Sequence, residues 1–287
     1  MIYPLVRDLA EDGFPVTVTC RVLKFSTQNY YRWLKSPITK RDWDNAHLTN
    51  AAFDAHQNDP AFGYRFISDE LEVAGHVASE RRVWRLCSEQ QLWSSFTKKS
   101  KLYKKAGPAV HDDHVQREFT ASRPNELWLT DITEHRTNTG KLYLCAVKDV
   151  YSNRIVGYAL DERMKASLAV RALRNAIMLR QPQGTVVHSD RGSQFRSKAY
   201  VRTLRNNGLV GSMGRVAAAG DNAAMESFFS LLQNNVLDTR RWQTREDLHL
   251  AIVTWIESKY HRRRRQRVLG RLTPIEYETL ELALKAA

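Results

Sequence analysis

The chain has 287 residues, 43% of them hydrophobic, and carries 44 Lys and Arg against 31 Asp and Glu, a net charge of +13. That hydrophobic content argues against a wholly disordered chain, and no run approaches the roughly 18 apolar residues that would span a bilayer. Three scattered cysteines, Cys20, Cys87 and Cys145, form no CxxC pair, which argues against a disulfide framework and a multi-cysteine zinc site.

From the N-terminus, Met1-Ile2-Tyr3-Pro4 is not a basic stretch leading into a long apolar one, so no secretory leader is expected and the chain is placed in the cytoplasm. Val16, Cys20 and Leu23 recur at helical spacing. Ser26 then offers an N-cap to a run containing Tyr30, Tyr31, Trp33 and Leu34, which Pro37 ends, so residues 1–40 are read as an N-terminal helical segment. Phe66, Ile67, Glu70 and Leu71 lead to the stop signal Gly75. Ser79 next caps a helix holding Val83, Leu86 and Cys87 beside Arg81, Arg82 and Arg85. Two short helices around a glycine-containing turn, the second one basic, outline a helix-turn-helix over 55–97. Residues 98–122 read as a basic linker. His111 and His114 have ligand-like spacing there, but with no Cys pair nearby they are read as ordinary linker histidines.

Beyond the linker the period changes. Strand candidates are Leu127–Thr133, Leu142–Val147 and Ile155–Leu160, separated by turn residues, which reads as an antiparallel meander. A helix over 166–180 is followed by a short buried strand at Thr185–His188, a helix over 197–206, a strand near Leu209-Val210 and a long helix from about 222. The order βββαβαβα predicts an α/β core over 123–257, a mixed five-stranded sheet with flanking helices, preceded by an all-α region and followed by a basic C-terminal tail over 258–287.

The positive charge is concentrated. Residues 81–105 hold eight Lys and Arg against Glu89, and residues 259–271 hold seven against no acid. Two such runs, interleaved with Trp84, Trp93, Tyr103 and Tyr260, are the electrostatic footprint of a nucleic-acid binder. An anionic membrane would attract the same charge, but neither run carries a long apolar face to insert, so no membrane partner is expected.

Three carboxylates sit where a carboxylate needs a reason. Asp131 interrupts an apolar strand, and Asp190 follows Val186-Val187 at the end of a buried one. Glu226 lies in a helix whose core face is Met225, Phe228, Phe229 and Leu232, and shares the adjacent stripe with Ser230 and Gln233. A buried carboxylate needs a cation, a partner or a proton. Thirty-five residues separate Asp190 from Glu226, the spacing of the "D, D thirty-five E" polynucleotidyl transferases.

The stretches Pro124-Asn125, Trp128, Asp131-Ile132-Thr133 and His188-Ser189-Asp190-Arg191-Gly192-Ser193-Gln194-Phe195 together resemble a retroviral-type integrase core. Asp221-Asn222-Ala223, Glu226-Ser227-Phe228-Phe229, Tyr260, Arg263-Arg264-Arg265 and Leu269-Gly270 narrow the resemblance to bacterial insertion-sequence transposases of the orfB type. Phe62-Gly63-Tyr64-Arg65, Glu70-Leu71, Gly75, Arg82-Val83 and Arg85-Leu86 are similar to the small helix-turn-helix region that precedes the core in that family. The resemblance covers most of residues 15–275.

It implies an RNase H-like fold in which Asp131, Asp190 and Glu226 are the catalytic acids and bind two Mg²⁺ ions, with Mn²⁺ as a substitute. One ion would activate a water or 3′-hydroxyl and the other would stabilise the departing oxygen. The expected activity is metal-dependent cleavage and strand transfer of DNA during transposition. The alternatives are a simple metal-dependent nuclease of the same fold and a catalytically inactive DNA-binding relic. Expected partners are double-stranded DNA (element ends and target), further copies of the chain on that DNA and the product of an upstream reading frame, with a nucleoid-associated location. Expected DNA contacts are Arg81, Arg82, Arg85, Lys98, Lys99, Lys101, Arg191, Gln194, Arg215, Asn222, Gln233, Arg262, Arg263, Arg264 and Arg265. The chain departs from the family pattern before the last acid, where Gly214-Arg215-Val216-Ala217-Ala218-Ala219-Gly220 replaces a more polar loop. Gln233 also stands where relatives commonly carry Lys, and Gln266-Arg267 replaces a frequent His-Ser.

Overall fold

The computed structural model describes residues 2–95, 108–116, 118–214 and 223–286. The chain divides into two compact units, 1–94 and 95–287. Among the described residues no helix is long and apolar enough to cross a membrane.

The first unit is all-α and holds two hydrophobic clusters. Helices α1 (Tyr3–Glu11), α2 (Val16–Val22) and α3 (Thr27–Lys35) bury Val6, Cys20 and Tyr30, with Tyr3, Leu23, Phe25 and Trp33 packed around them. Ser26 caps α3 as its sequence position suggests, its side chain accepting from Gln28 N. The second cluster joins α4 (Lys40–Asn58), α5 (Tyr64–Val73) and α6 (Glu80–Glu89) around Leu48, Ile67, Leu71, Val83, Leu86 and Cys87. Gly75 takes φ +86° after α5 and Ser79 caps α6, so the paired helices expected over 55–97 are present. Helix α4 adds a third member that the sequence reading passed over. Its buried face is little more than Leu48 and Ala52, too thin a stripe to declare a helix, and a Thr39–Asp42 capping box defines its start.

The second unit is built on a mixed five-stranded sheet in the order β3-β2-β1-β4-β5. Strands β1 (Leu127–Thr137), β2 (Gly140–Asp149) and β3 (Ile155–Asp161) form the antiparallel meander, with Asp131 opposite Ala146 and Cys145 opposite Ala159. Helix α7 (Ala166–Arg180) carries the chain across to β4 (Val186–Ser189), which lies parallel to β1. Helix α8 (Lys198–Asn206) then leads to β5 (Val210–Met213), parallel to β4. The two sheet faces are separate cores. Trp128, Cys145 and Val147 pack with α7 and α8, whereas Leu127, Leu129, Leu144 and Ala146 pack under α9 (Ala223–Leu232) and α10 (Arg245–Thr254). Helix α7 lies so close to β3 that a Cβ at Gly157 would come within 2.5 Å of Ala172 O and Ala176 N, so only glycine fits there.

Helix α9 runs on as a π-helical turn over Gln233–Leu237, and α10 as another over Trp255–Tyr260. The segment 111–114, read as linker, lies along β5: Met213 N donates to Asp112 O and His114 N to Ser212 Oγ. Residues 258–287, read as a basic tail, fold onto the sheet unit. Tyr260 and His261 are buried, with Tyr260 donating to Asn153 O and His261 Nε2 accepting from Ile155 N. Helix α11 (Pro274–Ala286) is fastened by Glu278, which receives hydrogen bonds from Arg180, Arg154 and Ser152. Counting arginines in that stretch hid the apolar and acidic side chains that anchor it.

Candidate active site

The parallel pairing of β1 with β4 sets two of the acids in step. Its last pair is Thr130 with Ser189, so the next residues are Asp131, within β1, and Asp190, just past the end of β4. Strands in a sheet lie about 4.8 Å apart, and residues directly opposite one another share a face. Both carboxylates bear electrostatically on the buried Cys145 thiol, which burial, chiefly, pushes up to about 12. Asp131 is half-buried, and its Oδ1 accepts from Ile132 N at 2.7 Å. Asp190 is exposed, and its Oδ1 accepts from Gly192 N at 2.9 Å. A Cβ at Gly192 would stand 2.8 Å from that same oxygen, so the absent side chain lets the backbone donor reach the carboxylate.

Glu226 enters from α9. Met225, Phe228, Phe229 and Leu232 are buried as the core face expected of them, and Glu226 is exposed beside it. The first turn of this helix is held from below. Lys148, buried on the adjacent face of β2, donates from Nζ to Ala224 O at 3.1 Å, and burial lowers its amine to about 8. Sequence reasoning missed this lysine because it took the strand to end at Val147. The signal was a cation one residue beyond an apolar run.

Among the described residues, no three His, Cys, Asp or Glu side chains are gathered closely enough to hold a metal ion. Of the three acids read together from the sequence, Asp131 and Asp190 each follow the last β1–β4 pair, and Glu226 lies on α9. Both aspartates turn an oxygen back onto backbone N–H groups, a local way to satisfy a carboxylate.

The expected DNA contacts divide. On α6, Arg81 is exposed, Arg82 Nε donates to Asn45 Oδ1 of α4, and Arg85 lies 3.6 Å from Glu89. Arg191 Nε donates to Gly214 O, linking the ends of β4 and β5, and Gln194 donates to Met164 O. Gln233 begins the π-helical turn and donates to Asp238 Oδ1. Arg262 and Arg263 are exposed, whereas Arg264 and Arg265 are half-buried, and burial lowers the Arg264 guanidinium to about 10. Lys98, Lys99, Lys101, Arg215 and Asn222 lie outside the described residues.

Comparison with known proteins agrees with this architecture. One Integrase core domain family matches residues 121–219, another Integrase core domain family matches residues 226–282, and an HTH-like domain family matches residues 42–100. The Transposase InsF for insertion sequence IS3A of Escherichia coli (strain K12) is 32% identical over 276 residues, covering 94% of this chain and 96% of that one. The IS600 uncharacterized 31 kDa protein of Shigella sonnei is 33% identical over 268 residues, covering 90% and 96%. Among solved structures, the HTLV-2 integrase catalytic core domain in complex with magnesium aligns with 55% of this chain and 99% of that one, at TM-score 0.43 and 17% identity. With identity at the level of InsF sustained along nearly the whole of both chains, and the integrase-core and helix-turn-helix matches falling on the units described above, the chain belongs to the IS3 family of insertion-sequence transposases.

Proposed function

We propose that this transposase cuts DNA strands at the ends of its element and joins the freed 3′ ends to target DNA, with Asp131, Asp190 and Glu226 as its catalytic acids. The observation that carries the reading is the register of β1 with β4, whose last pair, Thr130 with Ser189, stands one residue before Asp131 in β1 and one before Asp190 just past the end of β4. Glu226 is assigned with them: it lies in the first turn of α9, beside the helix face that packs with Leu129 and Ala146.

The donor set suits Mg²⁺, a hard cation that takes oxygen ligands and keeps several waters. Bound by Asp131, Asp190 and Glu226, two such ions would supply an activated water or 3′-hydroxyl and a stabilised leaving oxygen. The chain's own contribution is placement. The strand register pairs the residues just before Asp131 and Asp190, Gly192 leaves the Asp190 oxygen within reach of a backbone donor, and Lys148 fastens the turn that bears Glu226. Exposed bases flank the core in sequence, Arg81 before it and Arg262 and Arg263 after it, and are assigned to phosphates. Joining two element ends to one target calls for more than one copy of the chain on the DNA, which places it at the nucleoid.

The test is strand joining on duplex DNA bearing the element's terminal repeats. Asp131→Asn, Asp190→Asn and Glu226→Gln should each retain DNA binding and lose Mg²⁺-dependent cleavage and joining by at least about a hundredfold. Undiminished joining by Asp190→Asn would overturn the assignment of the acids.

A further inference from the structure

The HTH-like match begins at residue 42, after α3, and leaves the first cluster of helices without a role. That cluster has a geometry of its own. Helices α2 and α3 are joined by the four residues Leu23, Lys24, Phe25 and Ser26. Lys24 takes the left-handed conformation with φ +57°, a position that favours glycine. Lys24 N donates to Arg21 O and Phe25 N to Cys20 O, closing α2 with the pair of bonds that turns a chain sharply out of a helix. Phe25 then packs edge-on against Tyr3 of α1, and Ser26 caps α3. Three short helices, a tight left-handed turn between the last two, and a shared core of Val6, Cys20 and Tyr30 make a helix-turn-helix.

The outward face of α3 is composed for nucleic acid. Tyr30 and Trp33 turn inward, leaving Gln28, Arg32 and Lys35 exposed at i, i+4 and i+7, with Tyr31 beside them. Glutamine and arginine are side chains that read adenine and guanine in the major groove. From residue 13 to residue 41 the chain carries Arg21, Lys24, Arg32, Lys35, Lys40 and Arg41 and no acid. All six are exposed, and none forms an ion pair with another described residue. On α6, by contrast, Arg82 is tied to Asn45 and Arg85 lies beside Glu89.

We infer that α1–α3 are a second helix-turn-helix, which seats α3 in the major groove of duplex DNA. Gln28, Tyr31 and Arg32 face base edges, and Arg21, Lys24 and Lys35 face the flanking phosphates. This rests on the transposase reading above and adds to it the element that reads sequence.

The experiment uses the full chain, a pool of random-sequence duplexes as probe, and EDTA throughout. Binding is then read without cleavage, and a fault in the assignment of the acids cannot produce or mask the result. Lys35→Ala should flatten the log–log salt dependence of binding by about 0.9, and Lys24→Gly by the same amount. Lys24→Gly also relieves the left-handed turn, so its loss of affinity cannot come from unfolding. Gln28→Ala should change the enriched sequence at one or two neighbouring positions, with the salt slope kept. If all three proteins show the parent's slope and enrich the parent's sequence, the inference is overturned and α3 is a face for another purpose. If the α3 changes act as expected while Asp190→Asn still joins strands, the inference stands and the acid assignment falls.

Discussion

A lysine under a helix, in a face otherwise made of Leu129, Leu144 and Ala146, needs a physical account. Burial brings the Lys148 amine from 10.5 to about 8, so the folded chain releases a proton that the unfolded chain keeps up to its ordinary value. Between those two values the unfolded state binds more protons, and folding becomes more favourable as pH rises. Below about pH 8 the whole penalty of the buried charge is present, on the order of 3 kcal/mol. Lys148→Met should therefore raise stability to urea at pH 7 by about 1–3 kcal/mol and abolish the gain that the parent shows between pH 8 and pH 10. In the same variant the amide of Phe228, which belongs to the turn anchored at Ala224, should exchange faster. Retention of the lysine at such a cost fits a part in setting Glu226. At this scale the sequence marks the three proposed acids, because Asp131 and Asp190 are out of keeping with the apolar runs beside them and the 35-residue gap points to Glu226. It marks Lys148 only as a cation one residue beyond an apolar run, because burial on a strand face depends on which helix covers it.

Helix α11 is held to the sheet unit by a buried charge cluster at Glu278. Glu278 is 7% exposed and stands against the guanidinium groups of Arg180, at 2.7 Å, and Arg154, at 2.7 Å, while Arg180 also meets the buried Asp149 at 3.2 Å. Burial works against the charge on Glu278, but the bonds from Arg180, Ser152 and Arg154 outweigh it and hold its carboxyl below the ordinary value. A carboxylate depressed in this way adds stability that is complete above its ordinary value and is lost as pH falls through the folded one. Glu278→Ala should cost about 3–5 kcal/mol, because two guanidinium groups lose the carboxylate between them and, among the described residues, only Arg180 keeps an ion pair to another, Asp149, and far-UV circular dichroism with urea titration reads it directly. Glu278→Gln should lose the acid-side pH dependence with it. Elements were legible in proportion to their periodicity. Helix α7, with six fully apolar inward positions, is found at its own boundaries, Ala166–Arg180. Helix α4 and the π-helical turns were not, the first for want of a stripe and the second because one extra residue in a helix leaves no mark on composition.

Across the whole molecule the net charge of +13 does not act as one field. Arg262 and Arg263 are exposed while Arg264 and Arg265 are half-buried, so the run of four divides between solvent and fold. Arg262→Ala with Arg263→Ala should lower the salt slope of DNA binding by about 1.8 and leave the urea midpoint unchanged. Arg264→Ala should move the midpoint more than the slope, and fluorescence anisotropy and urea titration of the same proteins separate the two. The cysteines lead somewhere else. All three are buried, and burial raises each thiol, so none offers a ready thiolate at neutral pH. They also fall in three of the four hydrophobic clusters: Cys20 among α1–α3, Cys87 among α4–α6, and Cys145 between the sheet and α7. The native chain is thus chemically quiet toward a maleimide, and each region announces its own opening when its sulfur becomes reachable. Peptide masses after a timed pulse of reagent would give three separate clocks for unfolding, without a label having been introduced anywhere.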